Sequence, residues 1–218
     1  MSRFPHLRYA SCAAITTLSR ADDKMVRVSL CNIPEIWEIL SDLITDVYLE
    51  VKINAVGMIC NLALELQSKK TDDFTNLISK LVELTRQTTN LKLRKNALFA
   101  IKNFSFMCTK DIRSTIISHL GLKELYHLLD DEDPSIQMQA LCIYRNLVYK
   151  TPDDINEVLG SGDQLLNKLY EKLFSSKEDI IIHSIYVCSN IANGNEKHRA
   201  LFMDDKYIKR FYELLVWK

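Results

Sequence analysis

Asparagines stand at Asn61, Asn103, Asn146 and Asn190, at intervals of 42, 43 and 44 residues. Each belongs to a run of one pattern: Asn54–Ala63 reads NAVGMICNLA, Asn96–Ser105 NALFAIKNFS, Gln139–Val148 QALCIYRNLV and His183–Ala192 HSIYVCSNIA. A side-chain amide offers one acceptor and two donors. A row of amides can therefore hold the main chain of an extended peptide without reading its side chains. The competing role is a bond from each Asn to a carbonyl of a neighbouring helix; four residues in register favour the peptide. Other chemistries lack their constellation. His6, His119, His127, His183 and His198 show no metal-ligand spacing with each other or with Cys. No Ser, His and carboxylate form a recognisable nucleophile–base arrangement. Gly160-Ser161-Gly162 lacks the P-loop Lys and the dinucleotide-binding spacing. The reading is therefore a binding protein with no catalytic residue, no metal and no cofactor.

A helix must position these amides. At about 100° per residue, the positions four, seven and eleven before each Asn lie on its face. Seven before are Asn54, Asn96, Gln139 and His183; four before are Gly57, Phe99, Cys142 and Tyr186; eleven before are Glu50, Lys92, Ser135 and Asp179. Six before are the small residues Ala55, Ala97, Ala140 and Ser184, and one after are the apolar Leu62, Phe104, Leu147 and Ile191. The small and apolar set forms the packed face, with Ala97 and Ala140 buried where helices approach closely. The other set forms a polar stripe, with Asn61, Asn103, Asn146, Asn190, Phe99, Gln139, His183 and Tyr186 as the candidate groove. Asn103 and Asn146 are expected to face solvent in the free protein.

Before each run lies an amphipathic segment: Pro34–Ile44, Phe74–Leu84, Leu122–Leu129 and Gln164–Phe174, with apolar residues three and four apart. Shorter helices follow the runs, for example Lys110–His119 and Pro152–Leu159. Thr151-Pro152-Asp153-Asp154 places a cap, a Pro at the first helical position and acids in the first turn, and Asp133-Pro134 does the same for its helix. Gly121, Gly160 and Gly162 mark joints. Each period of 42–44 residues thus reads as three helices, the armadillo pattern. One further step back of 44 lands on Thr17, in a degenerate copy. The expected fold is an all-α, right-handed armadillo-repeat solenoid forming a single domain, 1–218. Its partial unit 1–19 is followed by units at about 20–63, 64–107, 108–150 and 151–194, and by a partial unit 195–218. The chain starts inside a third helix and stops inside a second, which reads as a fragment or isoform, or as an end covered by a partner. Leu214, Leu215 and Trp217 are expected to be partly exposed and to drive self-association.

Composition narrows the class. Lys plus Arg is 28 and Asp plus Glu is 28, which argues against a duplex nucleic-acid partner despite Lys92, Arg94, Lys95, Lys102, Lys110 and Arg113. The chain has 47% hydrophobic and 26% charged residues, enough to bury a core, and its 5 Gly and 4 Pro favour helices over sheets. Cys12, Cys31, Cys60, Cys108, Cys142 and Cys188 form no CxxC pair and read as buried free thiols in a reducing compartment. The longest uncharged apolar stretch, Ile180–Asn195, is 16 residues and carries polar side chains, so no membrane span is expected. Arg3, Arg8 and Arg20 without an acid resemble a presequence, but the repeat register explains that stretch better.

The segments LRKNALFAIKNFSFM (Leu93–Met107), LGLKELYHLL (Leu120–Leu129), IQMQALCIYRNL (Ile136–Leu147) and IANGNEKHRALFMDDKYIKRFYELL (Ile191–Leu215) resemble one armadillo family. It is the armadillo-repeat subunit of the CTLH/GID ubiquitin ligase, the vacuolar import and degradation type, in its C-terminal part. The resemblance covers roughly residues 50–215. It implies a non-catalytic cytoplasmic and nuclear subunit. Such a subunit sits on a LisH/CTLH scaffold and docks the tail of a substrate receptor in its groove, while RING subunits transfer ubiquitin for proteasomal degradation. By groove position the matching residues are the eight named above. The alternative is a generic armadillo peptide adaptor, of nuclear-import or catenin type. Import adaptors place Trp four residues before the Asn, where this chain has Gly57, Phe99, Cys142 and Tyr186.

Overall fold

A computed structural model describes residues 4–68, 74–87, 89–149, 151–160 and 162–216; Arg3, Ser161, Trp217 and Lys218 lie outside the described residues. Among the described residues every regular element is helical and no strand occurs. The chain forms two compact units, residues 1–121 and 122–218.

The first unit contains α1 (Pro5–Leu18), α2 (Lys24–Cys31), α3 (Ile36–Leu43), α4 (Leu49–Leu62), α5 (Thr75–Gln87), α6 (Leu91–Ser105) and α7 (Lys110–Leu120). Helices α1, α4 and α6 carry the repeated runs and pack side by side. α1 and α4 run in the same direction: the Cys12 thiol lies 4.0 Å from the carbonyl oxygen of Val51, the Thr16 hydroxyl donates to that of Asn54 at 3.0 Å, and Asn61 reaches Ser19. Close approach is possible because Ala55, Ala97 and Ala100 stand at the contacts, all fully buried. In α5 the buried stripe is Leu77, Ile78, Leu81, Val82 and Thr85, the spacing of one helix face. Each buried Leu, Ile or Val contributes about 1.5–3 kcal/mol.

The second unit contains α8 (Leu122–His127), α9 (Pro134–Leu147), α10 (Pro152–Leu159), α11 (Gln164–Lys172), α12 (Glu178–Ala192), α13 (Glu196–Ala200) and α14 (Asp205–Leu215). Its run-bearing helices are α9 and α12, which contact one another extensively. Ala140 and Ser184 occupy the small position and are fully buried. The Ser184 hydroxyl is satisfied inside its own helix by donating to the Ile180 carbonyl at 2.7 Å.

Helix boundaries follow the local chemistry. Thr151 accepts from the Asp154 N–H at 3.2 Å and Asp133 from the Ser135 N–H at 2.9 Å, each with Pro at the first helical position. Gly121 and Gly160 have φ of 78° and 62° at the joints after α7 and α10, a region that only Gly enters without strain. Helix C-termini find donors on neighbours: Arg86 bonds the carbonyls of His119 and Leu120 at 3.0 Å, and Arg210 that of Leu173 at 2.8 Å. One repeat departs from the three-helix expectation. After α4 the chain winds on as a 3₁₀ segment, Ala63–Ser68, in place of a separate first helix. The stretch ALELQS holds no Gly, Pro or cap to stop it, and the Glu65 carboxylate is anchored by Arg27 Nε at 2.7 Å.

Cys12, Cys31, Cys60, Cys142 and Cys188 are buried and Cys108 is half-buried. Burial pushes the Cys60 and Cys188 thiols up to about 12, and that of Cys12 up to about 11.

An ion pair ties α1 to the turn before α4. Arg8 Nε and Nη2 donate to the Asp46 carboxylate at 2.7 and 3.1 Å, and the Tyr48 N–H donates to Asp46 Oδ1 at 2.9 Å. The Arg8 hydrogen bond, with help from the Tyr48 N–H, holds the Asp46 carboxyl below its usual range. A depressed folded-state value stabilises the fold above the unfolded carboxyl value of about 3.9 and is lost as pH falls through the folded value. Asp46→Asn is therefore expected to lower Tm at neutral pH and to flatten the acid limb of the Tm-versus-pH curve. An acid limb as steep as that of the unsubstituted protein would place the pH sensitivity elsewhere.

Candidate functional site

The asparagines of the repeated runs sit in the last turns of their helices, where the final backbone carbonyls lack helical donors. Asn103 Nδ2 donates to the carbonyl of Cys60 at 2.7 Å, and Asn190 Nδ2 to that of Arg145 at 2.9 Å. Both acceptors lie one residue before the Asn of the preceding run, in the last turn of α4 and of α9. Asn61 Nδ2 donates to Ser19 Oγ, just past the end of α1, at 2.8 Å. Each of these amides supplies a donor that the neighbouring helix end lacks.

This geometry corrects the expectation of solvent-facing amides. Asn103 is only 3% exposed, and Gln139 is buried as well. The cause is a deep seat: Asn103 reaches across to α4, and the packed side chains of α6 close over it. Asn61, Asn146 and Asn190 are half-buried and keep part of their polar surface toward solvent.

Phe99 on α6 is 37% exposed and Tyr186 on α12 is 50% exposed. Each ring carries a cation. The Lys102 ammonium stands over Phe99 at 3.8 Å from the ring centroid, and the Arg145 guanidinium lies 5.8 Å from the Tyr186 centroid. Half-buried His183 packs beside Tyr186, ring centroids 6.1 Å apart. Gly57 and Cys142, at the equivalent positions of α4 and α9, offer no such ring, and Cys142 is buried. Lys102 and Arg145 were absent from the sequence-based groove. Their signal was their place one residue before the Asn, on the edge of the same face.

On α6 the stripe is Lys92, Asn96, Phe99 and Asn103; on α12 it is Asp179, His183, Tyr186 and Asn190. The first unit thus presents an aromatic ring flanked by lysines, and the second an aromatic ring between an imidazole and an arginine. Both can hold an extended chain by amide bonds and by stacking on the ring. Among the described residues no group of three or more His, Cys, Asp or Glu could hold a metal ion, and no helix is long and apolar enough to cross a membrane.

No family model matches the sequence. Among curated proteins the chain is 25% identical over 206 residues to armadillo repeat-containing protein 8 of Danio rerio, and 24% identical to that of Mus musculus. Both alignments cover 94% of this chain and 30% of the relative, so the chain spans under a third of their length. Among solved structures, a designed armadillo repeat protein superposes with a TM-score of 0.80 at 20% identity, covering 99% of this chain and 88% of that one. A second, a designed armadillo repeat protein in complex with the peptide (KR)4, gives 0.77 at 21% identity, covering 96% and 84%. The chain has the armadillo fold, all-α and solenoidal, and is homologous to armadillo repeat proteins.

Proposed function

We propose that this chain is a non-catalytic adaptor of a CTLH/GID-type ubiquitin ligase, docking an extended segment of a substrate receptor on its run-bearing helices. The observation that carries the reading is the pair of half-exposed rings, Phe99 and Tyr186, each set beside a cation on the amide-bearing face. Homology to armadillo repeat-containing protein 8 supports the ligase assignment, and the peptide held by a designed armadillo relative supports peptide capture. The face differs from one suited to a basic peptide. Lys102 and Arg145 lie on it, so it favours a segment of neutral or acidic character.

Affinity purification with mass spectrometry tests the assembly: recovery of RING and LisH/CTLH proteins supports it, while import receptors alone would replace it by a nuclear-import adaptor. Calorimetry with the receptor tail tests the face. Phe99→Ala with Tyr186→Ala is expected to weaken binding about tenfold or more, since about 1.4 kcal/mol is one decade. Helicity and Tm should stay near those of the parent, because both rings are largely solvated. Lys110→Ala on α7 serves as the control. Equal affinity for the parent and the double variant would show that the segment lies elsewhere.

A further inference from the structure

We propose that the α12–α14 face of one copy of this chain receives the α1–α3 face of a second copy, so that the protein associates head to tail. The inference is independent of the peptide-binding face.

An apolar groove of about 330 Å³ lies between α12 and α14, lined by Ile185, Cys188, Phe202, Phe211 and Leu215. Another, of about 370 Å³, lies between α1 and α3, lined by Leu7, Ile15, Ile36, Ile39 and Leu43. Leu215 is 82% exposed and Leu7 57%. The two grooves are the two halves of one packing arrangement. In the second unit, α13 and α14 are the first two helices of a repeat, and the groove beside them is where a third, run-bearing helix would pack on α12. In the first unit, α1 is a run-bearing helix, and the groove beside it is where a second-type helix would lie against α3. Thus α1 of one copy fits the slot on α12, and α14 of the other fits the slot on α1 and α3. Together they complete one three-helix repeat. The chain already shows this stacking twice, with α4 on α1 and α12 on α9.

Charge agrees at both contacts. α12 opens with exposed Glu178 and Asp179 and contains no Lys or Arg. α1 contains His6 and Arg8 and no acid. Run-bearing helices stack in parallel, as α1 and α4 do, so the acidic start of α12 would meet the basic start of α1. Arg8, already paired with Asp46, adds its charge without needing to leave that partner. α3 carries Glu38 and Asp42 and no base. α14 carries Lys206, Lys209 and Arg210 against Asp205 and Glu213, an excess of 3 − 2 = 1 positive charge. Like-to-like pairing of either end would oppose acid to acid at α12 and at α3. A head-to-tail contact leaves a free face at each end, so it extends beyond a dimer unless it closes into a ring.

The test is light scattering after gel filtration, across a range of concentrations, on the full chain and two exposed-face variants. The parent should at least double its mass-average mass and go beyond a dimer. Leu7→Glu and Leu215→Glu should each be monomeric alone. Their equimolar mixture should form a dimer and stop there, because each variant keeps the face that the other has lost. Circular dichroism confirms folding, and Ile39→Glu replaces Leu7→Glu if that variant is unfolded. A parent that stays monomeric at every concentration would overturn the proposal, as when another segment or partner is the true occupant. So would a single variant that still dimerises alone, which marks a like-to-like contact, or a mixture that stays monomeric.

Discussion

Tyr207→Ala is expected to remove about 3–5 kcal/mol, as for other large buried rings, and to release α13 and α14 from the second unit. Tyr207 is 1% exposed. Its ring lies among Tyr170, Phe202 and Phe211, with centroids 5.2, 5.1 and 5.8 Å away. Its hydroxyl donates to the carbonyl of Leu166 on α11 at 2.5 Å. Burial pushes that hydroxyl above its ordinary range, so it remains a donor well into alkaline solution. Tyr207→Phe keeps the ring and strands one buried carbonyl, a cost of about 1–3 kcal/mol. Domains of this size are held by only about 5–15 kcal/mol, so the Ala variant spends a large share of the whole. Thermal melts give the two magnitudes, and hydrogen exchange locates them. Protection should fall first over residues 196–215, with residues 91–105 unaffected. Uniform loss across the chain would mean that these helices are not a separable edge.

The second large effect belongs to Asn103. Asn103→Ala removes the donor to the Cys60 carbonyl, leaving a buried acceptor and a void, and should cost about 1–3 kcal/mol. At about 2–4 °C per kcal/mol for a chain of this length, Tm should fall by several degrees. Asn61→Ala should cost less, because Asn61 is half-buried and its partner is a hydroxyl that can turn to water. Amides near the end of α4 should lose protection in the first variant and keep it in the second. Receptor-tail affinity below the melt should change less with Asn103→Ala than with the two ring substitutions. The reverse order would return Asn103 to the binding face.

The helices were legible because strong local signals agreed. The cap and Pro at Thr151–Pro152 and the Gly after Leu159 bound α10 on both sides, and the expected Pro152–Leu159 is what the structure contains. The period of the runs placed Ala97, Ala140 and Ser184 at the closest contacts, where they are fully buried. The 3₁₀ continuation Ala63–Ser68 escaped notice because the armadillo pattern demanded a helix there, while the residues themselves supply no stop and no start. The site was half legible. Phe99 and Tyr186 were found by helical angle alone. Whether an amide turns to solvent or to the next helix depends on how deep the neighbour sits, a distance that no single helix encodes. Asn103 and Asn190 have the same sequence register, yet only Asn103 is sealed.

The buried sulfurs give the molecule a record of its own opening. At neutral pH, groups raised to about 12 are ionised in roughly one molecule in 10⁵, so Cys60 and Cys188 are chemically silent while their helices stay closed. Each becomes an ordinary thiol when its helix opens. Cys12, Cys31 and Cys60 sit in the first unit, and Cys142 and Cys188 in the second. The order in which an alkylating reagent captures them therefore reads out which end of the chain breathes first, without any label being introduced.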